Sequence, residues 1–133
     1  MKTTKKKLQK GDDLAKIFQI KEIKFDLGKY NIRPDAAEQL AKIVKVMEEY
    51  PTMKIDVRLH TDSRGSDSYN LALSQRRAKS TIKWLIAHGI HKDRITGKGY
   101  GETQLVNGCS NGVPCTEEQH QANRRSEFII ISM

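Results

Sequence analysis

Apolar and polar residues change period several times along this chain, and each change marks an element. Ile23, Phe25 and Leu27 alternate with polar neighbours and predict a first strand, ended by Gly28 and Asn31. Pro34 suits a first helical position, with Asp35 beside it at the positive helix end. Ala36, Leu40, Ile43, Val44 and Met47 then form a helical stripe that Pro51 closes near Tyr50. Ile55, Val57 and Leu59 alternate with Asp56, Arg58 and His60, the pattern of a strand covered on one face. Ser66, Asp67 or Ser68 caps a second long helix with the stripe Leu71, Ser74, Ala78, Ile82 and Leu85, and Gly89 terminates it. Ile95 opens a third strand that runs into Gly97-Lys98-Gly99-Tyr100-Gly101. A loop over 102–116, a short helix near 117–122 and a last strand at 127–131 complete the chain.

This order predicts a two-layer α/β sandwich, β-α-β-α-β-(short α)-β, with two long helices on one face of a four-stranded mixed sheet. Residues 1–19 read as a basic linker-like segment and residues 20–133 as a single domain. No apolar run approaches the roughly 20 residues that span a bilayer. The Lys-rich start lacks the apolar stretch of a signal peptide, so the chain reads as a cytosolic protein or, preferably, a domain cut from a longer exported one.

The formal net charge of +8 raises the question of nucleic acid. Five lysines lie in residues 1–10, which leaves +3 on the remaining 123 residues. A short lysine-rich end is ordinarily a solvated tail, and no aromatic residues interleave with it. Cys109 and Cys115 flank Ser-Asn-Gly-Val-Pro, a turn-forming stretch that lets the two sulfurs meet. A disulfide, two free thiols and a metal pair are the three readings. The turn favours the disulfide, and a disulfide favours an oxidising compartment; a metal site would need ligands beyond His120.

The chemistry concentrates around His60-Thr61-Asp62-Ser63-Arg64-Gly65 and Leu73-Ser74-Gln75-Arg76-Arg77-Ala78. A strand–turn–helix unit fixes Asp62 at a strand end and Arg77 two to three turns into the next helix. A carboxylate and a guanidinium held in this way can grip a zwitterion: one takes an ammonium, the other a carboxylate through its planar fork. Arg76 points elsewhere by helical geometry. Ser74 lacks a nucleophile elbow, His60, His88, His91 and His120 lack metal-ligand spacing, and the 97–101 glycines lack a phosphate-loop fingerprint. The glycines read instead as a close-packing strand and turn.

Five blocks carry a resemblance that covers residues 20–132. They are Phe25 to Arg33, His60 to Gly65, Tyr69 to Ala78, Gly99-Tyr100-Gly101-Glu102, and Asn123-Arg124-Arg125-Ser126-Glu127. Together they resemble the OmpA-like peptidoglycan-binding domain of outer-membrane porins, peptidoglycan-associated lipoproteins and flagellar stator subunits. The resemblance implies a non-catalytic anchor, without cofactor or metal, that grips the diaminopimelate end of the peptidoglycan stem peptide. It assigns Asp62 to the ammonium and Arg77 to a carboxylate. Thr61 and the turn to Gly65 form the floor, Asn70 and Leu73 the lining, and the loop from Tyr30 through Asn31 and Ile32 to Arg33 a wall with backbone donors. Arg124 or Arg125 borders the site. It also implies a periplasmic domain of a Gram-negative outer-membrane-associated protein, with no nucleic-acid partner and membrane contact only through a missing N-terminal domain or anchor. The loop between Cys109 and Cys115 departs from the commonest pattern and reads as a surface staple rather than a lid. A cell-wall hydrolase or amidase accessory domain and a nucleic-acid-binding module are the alternatives.

Overall fold

The alternation over 54–60 produces the central strand of the sheet. In the computed structural model, which describes residues 7–133, β1 (Lys54–His60) lies between β2 (Ile95–Gly101), parallel to it, and β3 (Ser126–Ser132), antiparallel. Ile55 registers with Ile95 on one side and Ile130 on the other, and Val57 with Gly97 and Phe128. Ile55, Val57 and Leu59 are buried, and their face of the sheet meets the helices in one apolar cluster.

α2 (Pro34–Glu49) follows its predicted stripe: Ala36, Leu40, Ile43 and Met47 are buried, joined by Val46, while Val44 packs at the edge. The last carbonyls of a helix have no amide partner within it. The Arg94 guanidinium reaches across from the turn before β2 and donates to the carbonyls of Met47 (2.8 Å), Tyr50 (2.8 Å) and Met53 (2.9 Å). α3 (Asp67–Ala87) is capped by Ser66, whose Oγ accepts from the Tyr69 amide at 3.1 Å. Its buried stripe runs Asn70, Ser74, Ala78, Thr81 and Leu85, with Leu73 alongside. Leu71, expected on that stripe, is instead exposed, because the helix turns the polar Asn70 inward to brace the loop after β1.

Two further expectations are corrected. The sheet has three strands among the described residues, since 23–27 forms no strand. The outer edge of β3 is already taken: the Gly11 amide donates to the Ile130 carbonyl (2.8 Å), the Ile130 amide donates to the Asp12 carbonyl (2.8 Å), and Asp13 bridges Ile129. With that edge occupied, Ile23 and Phe25 pack by their side chains, and Leu27 stays exposed. The linker expected over 1–19 is likewise part of the packed body in its second half. α1 (Leu14–Ile17) is capped by Asp13, and Leu14 is fully buried against the core. The remainder of that expectation, the Lys-rich start, lies in residues 1–6, outside the described residues.

Cys109 and Cys115 form a disulfide. Closing so short a loop stabilises the fold by about 2 kcal/mol in the chain-entropy description. The loop then delivers the chain to α4 (Glu117–Asn123), which starts with a capping box between Thr116 and Gln119.

Candidate functional site

The C-terminal end of β1 opens into a cleft of about 450 Å³. Four segments build it: the stretch 22–28, the turn after β1, the first turns of α3, and the junction of α4 with β3. β1 leaves the sheet pinned on both sides, the His60 amide donating to the Arg125 carbonyl (3.0 Å) and the Thr61 amide to that of Gly101 (2.9 Å). The turn is fixed from behind by Asn70. Its Nδ2 donates to the Arg64 carbonyl (3.0 Å) and to Glu102 Oε1 (3.0 Å). Gly65 supplies a left-handed φ of +93° that lets the chain double back into α3.

Asp62 is buried at the base of this turn. Its Oδ1 accepts from the Arg64 amide (2.9 Å), and its Oδ2 accepts from Arg64 Nη2 (2.8 Å) and Arg124 Nη1 (2.6 Å). Arg64 and Arg124 both continue to Glu117, at 3.0 and 2.6 Å, so two acids and two arginines alternate around a closed ring. Burial acts to raise the Asp62 pKa, but the Arg64 and Arg124 bonds outweigh it and hold the carboxyl at about 2. A folded-state value below the unfolded one adds stability at pH above about 4 that is lost as the pH falls through the folded value. Discounted for the solvent around Arg64, the contribution is about 1–2 kcal/mol. Urea unfolding of wild type and Asp62→Asn should therefore show a stability difference that shrinks as the pH is lowered from 5 toward 2, on the order of that window. A difference independent of pH would show that the ring does not hold the charge.

Arg77 sits across the cleft on α3 and is half-buried. Its Nε donates to the Lys29 carbonyl (2.9 Å) and its Nη2 to the Asp26 carbonyl (3.2 Å), and its guanidinium lies 4.7 Å from the centre of the Phe25 ring. No carboxylate pairs with it among the described residues, and burial lowers its pKa from the ordinary guanidinium value without discharging it. It is a partly desolvated cation with N–H groups to spare, a setting that draws an anionic partner.

Of the residues singled out from sequence, Thr61, Asp62, Asn70, Leu73, Arg77, Arg124 and Arg125 line this one cleft. Arg124 is the member of its pair that bonds Asp62. Arg125 spends its Nη2 on the Gln104 carbonyl at 2.8 Å. Tyr30, Asn31 and Ile32 do not line the cleft. Ile32 packs on the core; of the expected wall only Arg33 lines the cleft, beside Phe25, Leu27 and Gly28. Gly65 shapes the turn without lining the cleft. Sequence reasoning took Arg64 only as part of the turn to Gly65, with no role for its side chain, and passed over Glu22, Gln121 and Glu117, which no local spacing ties to the Asp62 motif. His60 also lines the cleft, its Nε2 2.6 Å from Glu127 Oε1 and its imidazole stacked on Tyr100.

A sequence profile of the OmpA family matches residues 24–123. Outer membrane porin F of Pseudomonas fluorescens is 38% identical over 106 residues, which are 80% of this chain and 31% of the porin. The peptidoglycan-associated lipoprotein of Brucella melitensis is 39% identical over 85 residues, 64% of this chain and 51% of the lipoprotein. The chain thus spans about a third and about half of these relatives. The crystal structure of the peptidoglycan-associated lipoprotein from Burkholderia pseudomallei shares the fold, with a TM-score of 0.66, 24% identity and coverage of 82% of this chain and 86% of that one.

Proposed function

The chain belongs to the OmpA family, and from that premise we propose that it is a non-catalytic module that binds the stem peptide of peptidoglycan in the cleft after β1. The reading rests on one observation above others: Arg77, partly desolvated and without an acid partner among the described residues, faces the same cleft as the buried carboxylate of Asp62. A diaminopimelate end is a free amino acid carried on a peptide, with ammonium and carboxylate on one carbon. Arg77 meets the carboxylate with its free N–H groups. Asp62 is the acidic pole, and Arg64, about half exposed, gives up its place there to the ammonium. Thr61, Asn70 and Leu73 hold the floor and lining, and Arg124 keeps Asp62 ionised.

The names of relatives support this reading, since one is an outer-membrane porin and another a lipoprotein associated with peptidoglycan. Among the described residues no helix is long and apolar enough to cross a membrane. The domain then works in the periplasm, tying an outer-membrane protein to the wall, and the Cys109–Cys115 bond suits that oxidising compartment. A few charge-assisted bonds give micromolar to millimolar affinity per site, on the order of −4 to −8 kcal/mol, and many copies on one wall multiply it through avidity.

Calorimetric titration with a stem tripeptide ending in diaminopimelate tests the reading. Saturable binding by the wild type, lost when a Lys-terminated peptide lacking the second carboxylate is used, is expected. Absence of binding at millimolar peptide overturns it.

A further inference from the structure

Among the described residues the cleft is lined by six cations, Lys24, Arg33, Arg64, Arg77, Arg124 and Arg125, and by two acids, Asp62 and Glu22. The two acids differ in how far their bonding capacity is filled. Asp62 takes three side-chain donors and one backbone donor from Arg64 and Arg124. Among the described residues Glu22 takes a single hydrogen bond, from Gln121 Nε2 to its Oε1, and forms no salt bridge. The other face of the Gln121 amide is committed as well, because its Oε1 accepts from Arg124 Nη2 at 2.6 Å. That bond orients the amide so that its N–H group points at Glu22. Gln121 and Arg124 therefore link the two acids of the cleft through one continuous path, Glu22–Gln121–Arg124–Asp62.

A half-buried carboxylate with one neutral donor is poorly compensated, and its burial raises its pKa despite the field of Arg124, Lys24 and Arg77. An ammonium carries three N–H donors. A ligand ammonium that reached Asp62 alone would have to compete with a bidentate arginine; at Glu22 it meets open oxygens. We propose that Glu22 is a specificity-determining residue of the site, receiving the ligand ammonium together with Asp62, and so selecting amino-acid ends over plain carboxylates in a cleft that is otherwise strongly cationic. This rests on the stem-peptide reading above.

The test compares two stem tripeptides, one ending in diaminopimelate and one whose free ammonium is replaced by hydrogen, on wild type and the isosteric Glu22→Gln. Thermal melts first establish that the variant is folded. The wild type should prefer the amine-bearing peptide, and Glu22→Gln should reduce that preference by about tenfold, with affinity for the desamino peptide unchanged or raised. An unchanged preference, or equal losses for both peptides, overturns the role of Glu22 while leaving the stem-peptide reading intact. Failure of the wild type to bind either peptide overturns both.

Discussion

Gly99→Ala is expected to destabilise the domain by about 3 kcal/mol or more, a fall in Tm of roughly 10–15 °C. β2 lies directly on α3 at this point. A Cβ on Gly99 would stand 2.1 Å from the Ser74 carbonyl carbon, 2.2 Å from its Oγ and 2.3 Å from the Gln75 nitrogen. Two of those atoms are backbone of a long helix and cannot swing aside. Ser74 is also the staple of the contact: its Oγ donates to the Leu71 carbonyl (2.9 Å) and accepts from the Gly101 amide (2.9 Å). Pushing strand and helix apart breaks that staple and displaces Asn70 and Arg77, which ride on α3. Peptide binding should therefore weaken along with stability. Gly108→Ala is the control, since a Cβ there meets nothing within 4 Å, and its stability should stay within about 0.5 kcal/mol of wild type. Equal melts for the two variants would mean that the close approach of β2 to α3 has slack to absorb a methyl group.

Arg77→Ala should weaken binding of the diaminopimelate tripeptide by about 100-fold or more, because two charge-assisted bonds in a partly desolvated site disappear together. The same change removes the donors held by the Asp26 and Lys29 carbonyls and the cation over Phe25, so the 26–29 segment also loosens. Arg77→Lys separates the two contributions. It keeps the charge but not the planar fork, and it should lose about tenfold in affinity. Affinity equal to wild type in both folded variants would remove Arg77 from the ligand and leave it as a brace for the loop.

How much of this was legible depended on the range over which each signal acts. The helix spanning Pro34–Glu49 and the strand Lys54–His60 announce themselves by period and by their own breakers, and both lie where the pattern predicts. That Asp62 and Arg77 would lie near one another was legible because one strand–turn–helix unit carries both, and both line the same cleft. The strand expected at 23–27 failed for a non-local reason. Alternation there is real, but a strand needs an edge, and residues 11–13 hold the edge of β3. Tyr30 to Ile32 failed as a wall because Arg77 ties down the carbonyls of Asp26 and Lys29, which brings Leu27 and Gly28 to the cleft instead.

The sequence by itself determined the order of helices and strands from Pro34 onward, the capped ends of the long helices, the cysteine loop and the spacing of Asp62 and Arg77, together with the family blocks that surround them. All of these depend on residues within about 20 positions of one another, where the chain geometry leaves few arrangements open. Tertiary structure alone decided that the sheet has three strands among the described residues, that Arg124 rather than Arg125 reaches Asp62, and that Glu22 is the less compensated acid of the cleft. Each of those outcomes is a competition among groups far apart in sequence for one edge, one carboxylate or one donor. Only the packed arrangement of the segment 22–28, α3 and α4 around the end of β1 settles which group wins.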